Sequence, residues 1–563
     1  MGVLGLDAHL FSIENKLDFI LIDDLVENSP RLKINYYQST KPLFEYVKKN
    51  YCYSDYINLS LDNLINTYVH YNGAANIVYQ LNNLDSYNRY AISIDYKRKI
   101  HFNFHDQEWL IKFCLLNKLN KKVKVFGNKY GLPSIFVLFL YFYNFLARLF
   151  SIIKSRKKHE DVQYLKSGAC QHIFDGWGGD LEKTIYIDDI LENSNYNESI
   201  HIYYDWDQNY NFIGKNHKKY SQVIINNSDL PNCRITVNYR FKEYFFAAIK
   251  LTRFFQREIN NQILSATNFI FIFPYYFFQF ITGEKNLAKA RIFFKEQNTR
   301  KIKSIFSVDG DNVLKRARMI IANRLGIMTH SFCHGYQLYP EPLGFFCGKR
   351  IHITGIGKKN DLIRTFGYDP KKIVIHEIEK INNYKIQRGR EDIMFLFSDF
   401  HLSYMMSSSK EFLLFIDLIL KLAEIHDNNF VIKFHPGLSE NIEHKNVCKW
   451  LAKKFVQRSN VRIVYDLYNS EMISNYLMVF SMNVNSTALV YSSLVNVPVY
   501  YLETKWSGLD KLNYIGHKKT KNASIYIDNL SSGIDVISGI INRNEMSLNN
   551  YPPINNWISE YIL

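Results

Sequence analysis

The second half of the chain alternates short apolar runs with segments of helical periodicity. A short apolar run bounded by turn residues is typical of a strand buried on both faces, and its alternation with helices predicts βα units around a parallel sheet. The predicted strands lie in DIMFLFSD, NNFVIKFHP, NVRIVYD, LMVFSMN and VPVYYLE, and the predicted helices in SKEFLLFIDLILKLAEIH, HKNVCKWLAKKFVQ, NSEMISNY and NSTALVYSSLVN.

A similar alternation begins near Tyr164 and predicts a second α/β unit. Its strand-like runs are QHIFDG, HIYYDW, SQVIIN, CRITVNY, IKSIFSV, MTHSFCH, RIHITGIG and KIVIHEI. The segment NNYKIQRGR between the two units is polar and basic, which is typical of a linker. We therefore predict an α/β protein with two Rossmann-like domains, over residues 161–381 and 391–563, and an additional N-terminal region of uncertain fold over residues 1–160.

Two apolar segments raise the question of membrane contact. Residues 132–153 are nearly long enough to span a bilayer but contain Asn144 and Arg148, and residues 268–282 are too short and contain Pro274. Basic residues at 154–158 follow the first segment, which fits either an apolar helix lying at an anionic membrane surface or a buried helix with a solvated end. The N-terminus lacks the pattern of a secretory signal, so we expect a cytoplasmic protein, with peripheral contact at the inner face of the membrane as an option.

The composition favours an anionic partner but does not identify its chemical class. The chain has 563 residues, with 69 Lys and Arg against 53 Asp and Glu, a net charge of +16. Such a charge attracts nucleic acid, anionic lipid or phosphorylated small molecules, but no nucleic-acid-binding motif accompanies it, so we expect no nucleic-acid partner. The seven cysteines are scattered without CxxC spacing, which argues against a disulfide framework or a zinc site.

The candidate phosphate-binding residues follow two of the predicted C-terminal strands. Lys433, His435 and Pro436 lie at the end of one strand, where open α/β sheets bind ligands. A second set comes before an apolar helix and combines small hydroxylated side chains with free backbone N–H groups, which bind anions. This set is Ser481, Asn485, Ser486 and Thr487.

This pair of motifs resembles the HP motif and the Ser/Thr motif of bacterial GT-B sialyltransferases and polysialyltransferases, and of capsule Kdo transferases. CDP-glycerol polymerases share a similar pair. The resemblance covers roughly residues 309–503 and implies a GT-B glycosyltransferase. It also implies that His435 contacts the donor nucleotide and that Ser486 and Thr487 contact the donor phosphate.

The same families carry an acidic motif whose carboxylate acts as general base toward the acceptor hydroxyl. The nearest match here is SIFSVDGDNV, in which Asp309 is the favoured base and Asp311 the alternative, although Val308 stands where the family has its first acidic residue. Asp175, in IFDGWGGD, also follows an apolar run and precedes glycines, and it is a further candidate.

Two other segments are candidates for the site. His334 and Gly335, in SFCHGYQLYPEP, are similar to a His-Gly loop near the interdomain cleft of these transferases, and a structural turn explains them equally well. Asp205-Trp206-Asp207 matches the short DxD pattern, but the donor motifs lie in the C-terminal half. We therefore predict no obligate metal and no cofactor, since helix dipoles and side chains can stabilise a leaving phosphate.

The resulting hypothesis is an inverting transfer of Kdo or sialic acid from a CMP donor to a bacterial surface glycan or glycolipid, such as capsule or lipopolysaccharide. A UDP-sugar transferase or a CDP-polyol phosphotransferase of the same architecture remains an alternative, because phosphate-binding residues do not select the base or the sugar. A non-catalytic glycan-binding or assembly protein is the third reading, and Val308 in the acidic motif favours it.

Overall fold

The computed structural model describes the following residues, to which every structural statement below is confined: 2–4, 6–21, 43, 45–47, 49–50, 59–60, 89–93, 122–126, 143, 172–176, 200–204, 241–258, 265–296, 302–308, 313–332, 346–376, 392–397, 409–434, 445–465, 470–482, 487–504, 524–543 and 545–562. They form three parallel sheets, which follow one another along the chain.

The first sheet lies in the N-terminal region. Its four strands pair in the order β2-β1-β3-β4, and each pair is parallel. Helix α1 (Leu6–Glu14) follows the first strand, so this region is itself an α/β unit. The strands are β1 (Gly2–Leu4), β2 (Ile20–Leu21), β3 (Arg89–Ser93) and β4 (Lys122–Phe126).

The second sheet has six parallel strands in the order β10-β9-β8-β7-β5-β6. The described strand order reverses between β5 and β7, and open parallel sheets bind ligands at such a reversal. The strands are β5 (His172–Gly176), β6 (Ile200–Tyr204), β7 (Ser304–Val308), β8 (Met328–Phe332), β9 (Arg350–Thr354) and β10 (Ile373–His376).

Among the described residues, four α-helices accompany this sheet. Apolar side chains of the long helix α3 and of α4 pack with Ile173 and Ile305 of the sheet in one core cluster. At Gly355, between β9 and α5, φ is 78°, a backbone conformation that glycine adopts without a steric penalty. The helices are α2 (Phe241–Glu258), α3 (Ser265–Glu296), α4 (Val313–Arg324) and α5 (Ile356–Phe366).

The apolar segment 268–282 belongs to α3, which contains Pro274 and packs along α2 and α4. In the described part of the chain, no helix combines the length and the apolar character needed to cross a bilayer. The segment 132–153 lies outside the described residues, except for Tyr143.

The third sheet also has six parallel strands, in the order β13-β12-β11-β14-β15-β16. Counted from its own first strand this is 3-2-1-4-5-6, the strand order of dinucleotide-binding Rossmann folds, with its reversal between β11 and β14. The strands are β11 (Ile393–Leu396), β12 (Phe430–Lys433), β13 (Val461–Val464), β14 (Met478–Ser481), β15 (Val499–Glu503) and β16 (Ser524–Tyr526).

Helices cover both faces of the third sheet. Helix α6 buries Phe412, Phe415, Ile419 and Leu422, at helical spacing, against one face, and helix α9 packs on the other face. The helices are α6 (Ser409–Ile425), α7 (Lys445–Phe455), α8 (Ser470–Ile473), α9 (Thr487–Leu494), α10 (Leu530–Ile541), α11 (Glu545–Asn550) and α12 (Asn555–Ile562).

The three units contact one another through helices. The C-terminal helix α12 packs against α9 of its own unit and against α5 of the second unit. Helix α1 of the N-terminal unit contacts α7, and Leu10 joins the core on the α6 face of the third sheet. The prediction of an α/β protein with two Rossmann-like units and an additional N-terminal region is therefore confirmed. The predicted linker and the predicted strands SQVIIN and CRITVNY lie outside the described residues.

Candidate functional site

The carboxyl edge of the third sheet aligns two of the predicted donor-site residues. Leu396, at the end of β11, pairs with Lys433 of β12 on one side and with Ser481 of β14 on the other. Neighbouring strands are about 4.8 Å apart, so the Cα atoms of Lys433 and Ser481 are separated by roughly 9–10 Å. The row lies beside the reversal of strand order, which is the general ligand position in such sheets.

The side chains of this row share the face on which α9 packs. Successive strand residues point to opposite faces, and Val431 and Val479, two positions before Lys433 and Ser481, pack in the cluster that contains Leu489 of α9. Helix α9 begins at Thr487, so its N-terminus follows β14 on the same face. A cationic side chain, a hydroxyl and a helix N-terminus thus come from the same edge and the same face of one sheet.

Lys433 and Ser481 are both buried. Lys433 is 7% exposed and Ser481 is fully buried. The Lys433 ammonium donates a hydrogen bond to the backbone carbonyl of the next residue, Phe434. Burying an ammonium group is costly unless polar or anionic groups compensate it, so a lysine at this position indicates a polar environment at the sheet edge.

The other predicted donor-site residues fall mostly outside the described part of the chain. His435 and Pro436 come directly after Phe434, the last described residue of that stretch. Asn485 and Ser486 come directly before α9 and also lie outside the described residues. Thr487 is described as the first residue of α9, without its side chain. These residues keep the roles predicted from the sequence as hypotheses.

The structure adds a polar pair at this edge that sequence reasoning missed. The Thr504 hydroxyl, just after β15, donates a hydrogen bond of 2.9 Å to a carboxylate oxygen of Glu411, in the first turn of α6, and both residues are buried. The two residues are 93 positions apart, so no local pattern could have joined them. The segment that contains Glu411 has helical periodicity, which predicts a helix but no buried polar contact.

One candidate base lies in β5 of the second sheet, and the other two follow β7 in the sequence. Asp175 lies in β5 and its backbone pairs with Ser307 of β7, two residues before Asp309. The β5/β7 boundary is where the described strand order reverses. Asp309 and Asp311 lie outside the described residues, as does the side chain of Asp175, so the choice among the three stays open.

Helix α4, which begins four residues after Asp309 in the sequence, buries three cationic side chains. Lys315, Arg316 and Arg318 are at most 5% exposed, and the Arg318 guanidinium lies 5.6 Å from the centre of the Phe293 ring. Buried cations require compensating anions or hydrogen bonds. A carboxylate at Asp309 or Asp311 could therefore serve as a counterion instead of a base, and a measurement of stability separates this alternative from catalysis.

His334, Gly335 and the segment Asp205-Trp206-Asp207 lie outside the described residues. The description of β8 ends at Phe332, two residues before His334 and Gly335, and the Asp205-Trp206-Asp207 segment follows β6 directly. Across the described ranges, no group of three or more His, Cys, Asp and Glu side chains is arranged to hold a metal ion.

Three histidines form a hydrogen-bonded row across the second sheet. His352 of β9 bonds to His330 of β8 through its Nε2, at 2.8 Å, and to His376 of β10 through its Nδ1, at 2.7 Å. The rings of Phe306 and Phe332 stack on His330 and His352, at centroid distances of 4.5 and 4.6 Å. Sequence reasoning missed this row, although MTHSF, RIHIT and IVIH each place one histidine in an otherwise strand-like run.

His352 is held in its neutral form. Burial, followed by the charges of His330, His376 and Arg350, lowers the pKa of His352 to about 3. A neutral imidazole has one N–H donor and one acceptor nitrogen, which suits a residue bonded to a histidine on each side. The row is thus a polar element inside the sheet that depends on neutral histidine.

This lowered pKa predicts a stability that depends on pH. In the unfolded chain His352 binds a proton below about pH 6.5, whereas in the native protein it stays neutral until about pH 3. Acidification therefore favours unfolding. Between about pH 7 and about pH 5 the loss is about 2 kcal/mol. Urea unfolding at both pH values measures it, and His352→Phe, which keeps an aromatic ring beside Phe332, should reduce the dependence.

His426 provides the matched control for this prediction. Burial also lowers its pKa, but it belongs to the third unit and lies nearer to solvent. His426→Gln should therefore alter the pH dependence less than His352→Phe does. An equal pH dependence in the wild type and in His352→Phe would contradict the assignment.

Comparisons with known proteins give fold-level similarity only. The sequence matches no protein-family model and no curated protein. Among solved structures, the chain is similar to the UDP-GlcNAc 2-epimerase of Methanocaldococcus jannaschii in complex with UDP-GlcNAc and UDP. The two sequences are 15% identical, the matched region covers 66% of this chain and 93% of the epimerase, and the TM-score is 0.36.

It is also similar to MurG of Acinetobacter baumannii, with 9% identity, 69% and 98% of the two chains covered and a TM-score of 0.35. A glycosyltransferase of Rickettsia africae is also similar, with 11% identity, 69% of this chain and 92% of that chain covered, and a TM-score of 0.37. These scores are too low for the likeness to indicate an activity. The two Rossmann-like sheets of the chain itself, joined through α12, decide the architecture. It is a GT-B fold. In this GT-B chain the N-terminal sheet is an addition.

Proposed function

We propose that this GT-B protein is an inverting glycosyltransferase whose donor, a nucleotide-linked sugar, binds at the carboxyl edge of the third sheet. The observation that supports it most is the row of Lys433, Leu396 and Ser481 beside the reversal of strand order, on the face where α9 begins. A buried cation next to a helix N-terminus is suited to a phosphate group.

On the donor side, each predicted residue has a distinct role. His435, held by the turn at Pro436, contacts the nucleotide, and Asn485, Ser486 and Thr487 with the amides of α9 hold the phosphate. Lys433 adds positive charge from the side of β12, and Ser481 adds a hydroxyl from β14. Charge that develops on the departing phosphate would thereby meet donors that are already oriented.

On the acceptor side, Asp309 is our first choice as general base, with Asp311 and Asp175 as alternatives. The base takes the proton of an acceptor hydroxyl while the hydroxyl oxygen forms a bond to the anomeric carbon and the bond to the nucleotide phosphate breaks. Inversion follows because attack and departure occur on opposite faces of the sugar. His334 and Gly335 are proposed to line the same cleft.

The donor and acceptor classes are narrower proposals, supported by the motif resemblance. We infer a CMP-linked Kdo or sialic acid as donor and a bacterial surface glycan or glycolipid, such as capsule or lipopolysaccharide, as acceptor. UDP-sugars are the main competing donor class. The net charge of +16 suits both an anionic donor and an acceptor carried by an anionic membrane.

Thermal unfolding with added nucleotides tests the donor class. CMP should raise the unfolding temperature of the full chain more than UDP or CDP does, because a ligand that binds only the native state stabilises it. Lys433→Met should remove most of this shift, and Lys421→Met, which changes an exposed lysine of α6, should leave it intact. Stabilisation by UDP alone would rule out the CMP preference, and no shift with any of the three would count against a nucleotide-sugar donor.

A further inference from the structure

Helix α2 exposes a pair of aromatic rings. Phe245 is 45% exposed and Phe246 is 50% exposed, whereas the opposite side of the helix buries Tyr244, Ala248 and Leu251. Isolated exposed apolar residues are common, but two adjacent phenyl rings on one helix form a patch. They lie in the second unit, far along the sequence from every predicted donor or acceptor residue.

The exposed rings are anchored by helix α3. Phe245 contacts Phe273 and Phe277 edge to face, with ring centroids 5.1 and 6.4 Å apart, and Phe277 is buried. Phe245 also contacts Phe246, at 6.1 Å. The pair is therefore the outer rim of an aromatic cluster supported from within the fold, so it is presented to solvent in a fixed position.

Cationic side chains surround the ring pair on the same side of α2. Lys242, Lys250, Arg253 and Arg257 are all exposed. Positions 242, 246, 250, 253 and 257 are three or four residues apart, so they follow one stripe of the helix. Within the described part of the chain these four cations form no ion pair. Their charge is therefore available to an anionic partner.

We propose that this face, the α2 surface, formed by Lys242, Phe245, Phe246, Lys250, Arg253 and Arg257, docks on a lipid bilayer that contains anionic headgroups. Phenyl rings enter the boundary between headgroups and acyl chains, and lysine and arginine bind anionic headgroups. Because α3 covers the opposite side, α2 lies along the bilayer surface and does not cross it.

A second copy of the chain fits this surface less well. A symmetric dimer through the same patch would bring two sets of four cations together without compensating carboxylates, and like charges in an interface are costly. Among the side chains of α2 whose exposure is described, Glu243 is the single acidic one. Charge complementarity therefore selects an anionic lipid surface.

The α2 surface gives the proposed membrane contact a location on the fold, and it deepens that part of the proposed function. It does not depend on catalysis. Binding to vesicles is measured without donor or acceptor. Failure of the transferase proposal would therefore not affect the proposal of membrane docking, and the vesicle experiment does not test the donor site.

Sedimentation with vesicles tests the proposal on the full chain. Wild-type protein should bind vesicles of equal parts phosphatidylcholine and phosphatidylglycerol, and it should bind pure phosphatidylcholine much more weakly. Lys250→Glu with Arg253→Glu should weaken binding to the anionic vesicles about tenfold or more, since each cation near such a surface contributes roughly fivefold. Phe245→Ser with Phe246→Ser should weaken binding to the anionic vesicles by a similar factor, and added salt should not restore that binding.

The matched control uses Lys449 of helix α7 in the third unit and Val456, the residue that follows this helix. Val456→Ser with Lys449→Glu changes one exposed apolar residue and one exposed lysine, and binding should stay within about twofold of wild type. Unchanged thermal unfolding verifies that each variant folds. Absence of wild-type binding, or equal binding by wild type and both α2 variants, would overturn the proposal. Loss of dimers in light scattering, without any change in vesicle binding, would assign the surface to a second copy instead.

Discussion

Asp309→Asn is expected to lower the rate of sugar transfer about 10²- to 10⁴-fold, the range typical for loss of a general base. Asparagine has nearly the same shape but cannot accept the proton of the acceptor hydroxyl at neutral pH. Because the proposed donor site lies in the other Rossmann-like unit, the stabilisation by nucleotide should be unchanged. A radiolabelled-donor transfer assay and nucleotide thermal shifts measure the two effects on the same protein.

The matched comparison for Asp309 uses the two other candidates. The backbone of Asp175 pairs with Ser307 across the β5/β7 boundary, and Asp311 comes two residues after Asp309 in the sequence. Asp175→Asn and Asp311→Asn should each reduce transfer less than Asp309→Asn does. If one of them has the largest effect, that residue is the base. If none of the three affects transfer while Lys433→Met abolishes it, no candidate acts as base.

The buried cations of α4 require a second readout in the same experiment. Lys315, Arg316 and Arg318 lie close after Asp309 in the sequence, and a carboxylate that compensates them would matter for folding. Removal of a partner from a buried ion pair costs about 3–5 kcal/mol of stability, whereas loss of a general base leaves stability nearly unchanged. Denaturant unfolding of Asp309→Asn therefore separates the counterion role from the catalytic one.

The strands of the third sheet were predictable because each is a short run of apolar residues between turn residues. Phe430 to Ile432 and Met478 to Phe480 are fully or almost fully buried, so both faces select for apolar side chains and the local pattern is clear. The position of Lys433 and Ser481 at the ends of these strands was predictable for the same reason. Their common row was not, because it depends on β11 lying between β12 and β14.

The features that sequence reasoning missed depend on contacts between distant residues. His330, His352 and His376 are separated by 22 and 24 positions, and Glu411 and Thr504 by 93. Each histidine alone fits a strand as a buried polar residue, and only the strand register shows that they bond to one another. The parallel sheet of the N-terminal region was missed for a related reason, since β1 and β2 have only three and two residues and β3 lies far from both along the chain.

Lys433→Met is expected to weaken binding of the donor nucleotide about a hundredfold, within the range for truncating one partner of a buried, hydrogen-bonded charge pair. Methionine keeps an unbranched side chain of similar length and removes the ammonium group. Because Lys433 is 7% exposed, methionine fills the same buried space without a charge, so the variant is expected to fold even though the Phe434 carbonyl loses this donor. Unchanged unfolding without nucleotide, together with weaker nucleotide binding in calorimetry, would assign Lys433 to the donor site. The same affinity as wild type would show instead that the lysine serves the sheet edge alone, and the donor phosphate would then have to bind away from the row of Lys433, Leu396 and Ser481.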